Sequence, residues 1–330
     1  MSAAPILVVA ELSGGRPTGL TRELLGLGRR LAGGETLCAA CPSADDRAVS
    51  ELIAHGADRV YTSGDPAIDD YDSDLWTAWV AEVARQAQSH AVLVAHTASG
   101  ADLAPRLAFR LDGGVATGCV EISEEGGRLH FTRPCYGGNV RETVSFTKGP
   151  AVATVRSGSH DSLERDARRT GETVTMGMDP AAARSRVLDR QRETGSDVRL
   201  EDAKVVVAGG RGLNGPEGFE VLADLARELG GAVGASRVPC DLGWCSHSLQ
   251  IGLTGKTVTP ELYIAVGISG AGQHMAGCGN ARNIVAINTD GDAAIYKDAR
   301  WGVVGDYRKV IPSLVAAIRE LRAAERQKNA

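Results

Sequence analysis

Nothing in this 330-residue chain approaches the ~20 consecutive apolar residues that a membrane span requires. The opening Met-Ser-Ala-Ala-Pro-Ile-Leu-Val-Val-Ala-Glu lacks a basic n-region, and its apolar run is only strand-length. No secretory signal or direct membrane insertion is read there, and the expected location is cytoplasmic. Surplus positive charge is missing as well. A net charge of -5 gives no general attraction for nucleic acid or anionic membrane, which leaves a small molecule or a protein as partner. The seven cysteines are odd in number and scattered, unlike a disulfide framework. Cys38 and Cys41 form a C-x-x-C with no second ligand pair, so the cysteines are expected to be buried structural thiols and no metal is expected. Also absent are G-x-S-x-G, H-E-x-x-H and G-x-x-x-x-G-K-[ST], which argues against the common hydrolases and phosphate-loop NTPases.

What is present alternates short apolar runs with helical patterns. In the first half, Ile6 to Glu11, Thr36 to Ala40, Val60 to Thr62 and Ala91 to His96 read as strands. Leu20 to Leu31, Trp76 to Gln88 and Ala101 to Leu111 read as helices, giving an α/β domain with a mainly parallel sheet. After Leu111 the pattern turns to extended segments, Gly118 to Ser123, Arg128 to Arg133 and Val140 to Phe146, ending near Ala151 to Arg156. Gly-Gly pairs at 126–127 and 137–138 supply turns, so an antiparallel addition to the first domain is expected. Charge with few large apolar residues from about 158 to 199 predicts a linker and a domain boundary at 190–191. A second α/β series follows: strands at Lys204 to Ala208, Ala232 to Ala235, Tyr263 to Ile268, Ile284 to Asn288 and Val303 to Val304. A helix is expected from about Glu217 to Leu229, and a last one with Pro312 in its first turn. The fold class is α/β in two domains, the second a doubly wound parallel sheet.

Glycine-bounded loops concentrate at the strand ends of the second series. Gly210-Arg-Gly-Leu-Asn-Gly215 satisfies G-x-G-x-x-G after an apolar strand, but no acid ends the next strand as a dinucleotide fingerprint would have it; Arg211 within it can reach a phosphate. Gly234-Ala-Ser-Arg237 and Gln250-Ile-Gly-Leu-Thr-Gly-Lys256 are further loops of this kind. Leu262-Tyr-Ile-Ala-Val-Gly-Ile-Ser-Gly-Ala-Gly-Gln-His274 runs from strand through a Ser-Gly turn into a helix. It offers backbone N–H groups at one spot for a phosphate-bearing cofactor. A lone histidine such as His274 reads first as a core or capping residue, but its place in a first helical turn, five residues after a strand-ending Ser and beside Gln273, makes it a ligand candidate. Binding loops without an evident nucleophile or acid–base pair suggest a cofactor that carries the chemistry itself, and redox fits that best.

These residues match a known family. From Val205 to Pro312 the chain closely resembles the alpha subunit of electron transfer flavoprotein. The resemblance rests on Gly209-Gly-Arg-Gly212, Val233-Gly-Ala-Ser-Arg237 with Asp241, Gln250-Ile-Gly252 with Thr254-Gly-Lys256, Pro260 to Ala271, Gln273-His274, Ile284 to Asn288 and Asp306. The first half is similar more loosely, through Pro105-Arg-Leu-Ala and Tyr136-Gly-Gly-Asn-Val140. The resemblance implies a heterodimer with a beta subunit and one FAD held by the C-terminal domain, with the N-terminal domain as a partner-facing platform. It implies electrons arriving from an acyl-CoA or N-methyl-amine dehydrogenase and leaving toward a quinone oxidoreductase, with no substrate turnover by the chain itself.

By the same resemblance the FAD site comprises Arg211, Ser236 and Arg237, then Ile251, Gly252, Leu253 and Thr254, then Ser269, Gly270, Ala271, Gly272, Gln273 and His274, with Asn288, Asp306 and Tyr307. Ser269 to His274 would bracket diphosphate and flavin. Arg211, Ser236, Asn288 and Asp306 would hold phosphate, ribitol and adenosine, and Arg237 and His274 would contact the ring. A guanidinium beside the ring favours its reduced, negatively charged form, which makes Arg237 the expected tuner of potential. Leu253 stands where the family usually has Gln, Gly272 where a β-branched residue is common, Thr289 for Lys and Ala294 for Pro. Two other readings compete: a stand-alone flavin or nicotinamide dehydrogenase, and a flavin-free partner-binding subunit.

Overall fold

The computed structural model describes residues 5–65, 68, 71–138, 140–179, 181, 183, 184 and 200–328. The chain divides into two compact units, Met1–Gln191 and Arg192–Ala330. The boundary expected at 190–191 lies outside the described residues, as does the 185–199 part of the expected linker.

In the first unit the strands Glu172–Thr175, Arg59–Thr62, Leu37–Ala40, Ile6–Val9, Ala91–Ala95, Ala151–Val155 and Val115–Cys119 lie side by side in that order, all parallel. The central ones are continuous apolar runs because both faces are covered. Ile6 and Val8 pack with Leu24 and Leu27 of helix Gly19–Ala32 and Leu52 of helix Asp46–Ala54. Leu7 and Val9 face the other way, toward Trp79 and Val80 of helix Ser73–Gln86 and Leu103 and Leu107 of helix Ala98–Arg110. Thr18, Asp45, Asp72 and Thr97 accept N–H bonds from the first turns of these helices and fix where each begins.

Two expectations are corrected in this unit. The antiparallel addition is a three-stranded sheet of Glu121–Glu125, Arg128–Cys135 and Val140–Val144. Ala151–Val155, read as its last member, instead pairs in parallel with Ala91–Ala95 and Val115–Cys119, where its fully buried Ala-Val-Ala-Thr-Val run belongs. The charged stretch beyond 158 is not simply a linker. Arg165 pairs with Glu51 at 2.8 Å, Glu172–Thr175 adds the edge strand beside Arg59–Thr62, and Trp79 donates to the Met176 carbonyl at 2.9 Å. Arg165, Asp166, Arg168, Arg169, Glu172 and Arg184 are ion-paired, a state that composition does not distinguish from solvation.

In the second unit five parallel strands run in the spatial order Ala232–Ala235, Val205–Gly209, Leu262–Val266, Ile284–Asn288, Trp301–Val304. Helices Gly218–Leu229 and Tyr307–Lys328 cover one face through Leu222, Leu225, Tyr307 and Ile311. The short helix Gly272–Cys278 and the turn Ala294–Lys297 cover the other through Cys278 and Ile295. The last helix starts earlier than expected. The Asp306 carboxylate accepts from Arg308 N–H at 2.9 Å, so Pro312 falls in the second turn, where its missing N–H leaves the Arg308 carbonyl without its usual partner. Among the described residues no helix is long and apolar enough to cross a membrane.

Candidate functional site

Numbered within the second unit, the strand order is 2-1-3-4-5, which has one point where neighbouring connections depart to opposite faces: the carboxyl ends of Val205–Gly209 and Leu262–Val266. Open parallel sheets bind ligands in the crevice at that point. The loops that leave it are joined backbone to backbone. Gly210 N–H donates to Val266 O at 2.8 Å, and Gly212 N–H to Gly267 O at 3.0 Å. A Cβ on Gly210 would lie 2.2 Å from Gly267 O. The G-x-G pattern here therefore serves loop-to-loop packing, which accounts for its lacking the acid of a dinucleotide fingerprint. Arg211 projects exposed from the turn Arg211–Leu213, with no acidic partner among the described residues.

The second wall begins where Ser236 N–H bonds Gly209 O at 2.9 Å, seating the Ser236 hydroxyl at the start of helix Arg237–Asp241 without a capping bond. Arg237 is exposed and its Nε sits 3.1 Å from the Asp241 carboxylate. The chain returns through the 250–256 loop, held by Ile251 N–H to Ala235 O at 2.8 Å. Buried Gln250 donates to Thr254 Oγ1 at 3.0 Å, which orients that hydroxyl and leaves its proton for a further acceptor. Gly252 adopts φ +145 against Gln273 O, and Leu253 N–H donates to that same carbonyl at 2.7 Å, while the Leu253 side chain is 53% exposed.

The third wall is Ser269 to His274. Gly270 has φ +83, and a Cβ there would come within 2.3 Å of Ile295 N, so only glycine makes this turn. Ser269, Ala271, Gly272 and Gln273 are exposed, with open space beside Gly272. His274 is only 7% exposed. Its Nδ1 lies 3.1 Å from the Ile251 carbonyl, which only accepts, so Nδ1 carries the proton and Nε2 accepts from the Tyr263 hydroxyl at 2.9 Å. Burial holds the imidazole pKa below its usual value, despite the opposing bond to Ile251. His274 is thus a neutral bolt between strand Leu262–Val266 and the 250–256 loop, with both ring nitrogens committed within the protein.

Arg211, Ser236, Arg237, Ile251 to Thr254 and Ser269 to His274 all lie on the loops and first helical turns at the carboxyl edge of the central strands. Asn288 ends the neighbouring strand, but its amide donates to Ile268 O at 3.0 Å and its oxygen accepts from Asp290 N–H at 3.1 Å. Asp306 caps the last helix. Tyr307 is buried, donating to Leu213 O at 3.0 Å, and supports the Arg211 turn from below. Gln250 and Tyr263 were given no role by sequence reasoning. The available signal was a tyrosine hydroxyl inside an otherwise apolar strand, which requires a partner once buried. No group of three His, Cys, Asp or Glu able to hold a metal occurs among the described residues. The cysteines are mostly buried, as expected, but Cys135 and Cys245 are partly exposed.

Compared with known proteins, residues 6–181 match the family described as Electron transfer flavoprotein domain, and residues 199–279 that described as Electron transfer flavoprotein FAD-binding domain. The chain is 40% identical over 317 residues to the Electron transfer flavoprotein subunit alpha of Bacillus subtilis (strain 168), covering 96% of this chain and 98% of that one. It is 40% identical over 324 residues to the protein of the same name from Thermoanaerobacterium thermosaccharolyticum, with coverage of 96% and 98%. It is 38% identical over 326 residues to Protein FixB of Clostridium saccharobutylicum, with coverage of 97% and 98%. Matched in both domains and along nearly its whole length, the chain belongs to the electron transfer flavoprotein alpha-subunit family.

Proposed function

We propose that the chain is the alpha subunit of a heterodimeric electron carrier, working in the cytoplasm, that holds one FAD in the switch-point crevice. A flavin-dependent dehydrogenase of the acyl-CoA or N-methyl-amine type is the electron source and a quinone oxidoreductase the acceptor. The observation that carries this reading is the set of polar groups around the crevice with donor capacity left over among the described residues. Among the described residues Arg211 has no carboxylate partner and the Ser236 hydroxyl makes no capping bond, while Gln250 orients the Thr254 hydroxyl. Phosphate oxygens and ring or ribityl acceptors are the chemistry such donors fit.

Bound FAD supplies the electron storage; the side chains bind, orient and tune. Arg211 would take the diphosphate, and Ser236 and Thr254 would offer hydroxyl protons to the cofactor. Arg237 on the rim, paired with Asp241, sets the local charge. The described residues of the crevice include no nucleophile poised beside a base, which supports a carrier over an enzyme with its own substrate.

The test is to co-express the chain with the beta subunit and purify the complex. A yellow heterodimer reduced only when a partner dehydrogenase and its substrate are added is the expected result. Substrate turnover by the isolated protein would support a stand-alone dehydrogenase, and a colourless complex would support a flavin-free subunit; either overturns the proposal.

A further inference from the structure

Two thiols beside the crevice touch each other. Helix Arg237–Asp241 ends at Gly243, which takes φ +71. Gly243 N–H then bonds Cys240 O, and Trp244 N–H bonds Pro239 O, both at 2.9 Å. This pair of bonds reverses the chain after a helix. The reversal carries Cys245 back over the helix, so that its sulfur lies 3.6 Å from that of Cys240. Cys240 is buried and directs its thiol toward the carbonyls of Ser236 and Ser246, each at 3.6 Å. Cys245 is partly exposed and is the member that solvent reaches.

We propose that Cys240 and Cys245 form a reversible dithiol–disulfide modification site, closed by small-molecule disulfides, whose closure acts on the flanking Ser236–Arg237 and Gln250–Thr254 segments. The second clause rests on the reading that those segments hold flavin. In the first step the Cys245 thiolate attacks one sulfur of the small disulfide and expels a thiol. The Cys240 sulfur then attacks Cys245 Sγ and expels the second. Two protein thiols lose two electrons and two protons, and the small disulfide takes up both and departs as two thiols. Closure removes the S–H that Cys240 directs to the Ser236 and Ser246 carbonyls. Ser236 opens the helix bearing Arg237, and the Ser246 hydroxyl accepts from Ser248 N–H in the turn that leads to Gln250.

Burial pushes both thiols upward, Cys245 to about 12 with Cys240 beside it as a lesser cause. Since only thiolate attacks, closure gains about tenfold per pH unit and keeps rising beyond pH 9, where an ordinary surface cysteine has levelled off.

The experiment uses the purified alpha–beta complex, equilibrated with mixtures of oxidised and reduced glutathione, then alkylated and digested with trypsin. Cleavage after Arg237 and Lys256 leaves both cysteines on one peptide. The expected product is that peptide lighter by two hydrogens, refractory to alkylation and restored by dithiothreitol. Cys245→Ser abolishes it, and Cys240→Ala stalls at a glutathione adduct on Cys245. Full alkylation of both thiols at every ratio, or a lasting adduct on Cys245 in the unsubstituted protein, overturns the site. This readout needs no flavin, so a colourless complex that cross-links still supports it while counting against the FAD reading. Closure should change FAD dissociation at least threefold in the unsubstituted complex and not in Cys245→Ser; an unchanged rate in the cross-linked protein overturns the coupling.

Discussion

Replacing Tyr263 by Phe removes one oxygen from a fully buried site and tests whether His274 is the bolt of the 250–256 loop. The hydroxyl donates to His274 Nε2 at 2.9 Å, and the opposite nitrogen must keep its proton for the Ile251 carbonyl at 3.1 Å. The ring therefore has no tautomer that satisfies both sides once the hydroxyl is gone, and a buried acceptor is left unpaired. That costs about 1–3 kcal/mol, while the retained phenyl ring keeps the packing term small. The loss should appear where the bolt acts. Leu253 N–H, bonded to Gln273 O at 2.7 Å, should exchange with solvent deuterium roughly 5- to 150-fold faster, this being the same free energy as an opening constant. Deuterium exchange with peptide-level mass spectrometry reads that change, and strands of the first unit serve as the internal control. A pH signature accompanies it. The folded-state pKa of His274 is lowered, so the unfolded chain binds the extra proton and stability falls as pH drops through the ordinary histidine range near 6.5. Without the hydroxyl that favours the neutral ring, protonation is easier and acid sensitivity at this site weakens. If Tyr263→Phe exchanges at Leu253 like the parent protein, the bolt does not exist and the reasoning fails.

Arg211→Ala should leave the fold intact, because the side chain is exposed, and weaken FAD binding by roughly ten- to a hundredfold; fluorescence titration of released flavin checks this. Gly270→Ala meets both a positive φ and a Cβ 2.3 Å from Ile295 N, so a loss of about 2 kcal/mol or more is expected in urea denaturation of the second unit. On the proposed FAD site, Arg237→Ala leaves the Asp241 charge unpaired and should lower the flavin's reduction potential by roughly tens of mV in redox titration; an unmoved potential would remove Arg237 as tuner. Burial pushes Glu23 up to about 7 against backbone N–H bonds from Gly158, His160 and Ser159. A raised folded pKa stabilises at low pH and the benefit is lost as pH rises through 7, so Glu23→Gln should flatten the decline in melting temperature between pH 5 and 8.

The strands of the two parallel sheets were legible because burial on both faces demands continuous apolar runs, such as Ile6–Val9 and Leu262–Val266. Their partners were not. Ala151–Val155 has the same composition whether it closes an antiparallel ribbon or enters the main sheet, and only the long-range fit beside Ala91–Ala95 decides. Glu172–Thr175 was hidden for the opposite reason. An edge strand with exposed Glu172, Thr173 and Thr175 carries no apolar signal, and its place beside Arg59–Thr62 is held by the backbone ladder with an Arg59–Glu172 pair across it.

At the crevice, glycine marked the loops correctly but concealed what each loop does. Gly210 and Gly212 are small because Gly267 backbone lies against them, so the fingerprint-like spacing reports protein–protein packing within one domain. Gly270, itself buried, is glycine because its φ is +83 and the Ile295 backbone lies where a Cβ would be. In both loops the missing Cβ makes room for neighbouring backbone, so the glycine spacing by itself does not mark which loop meets a ligand. His274 makes the complementary point. Its position after a Ser-Gly turn suggested a residue reaching out to cofactor, whereas Tyr263 and Ile251 turn its ring inward. Any ring nitrogen offered to flavin would have to give up one of those bonds. The hydrogen-bond donors better placed for the cofactor are therefore the outward ones, Arg211, Ser236 and Thr254, with His274 acting through the loop that it holds.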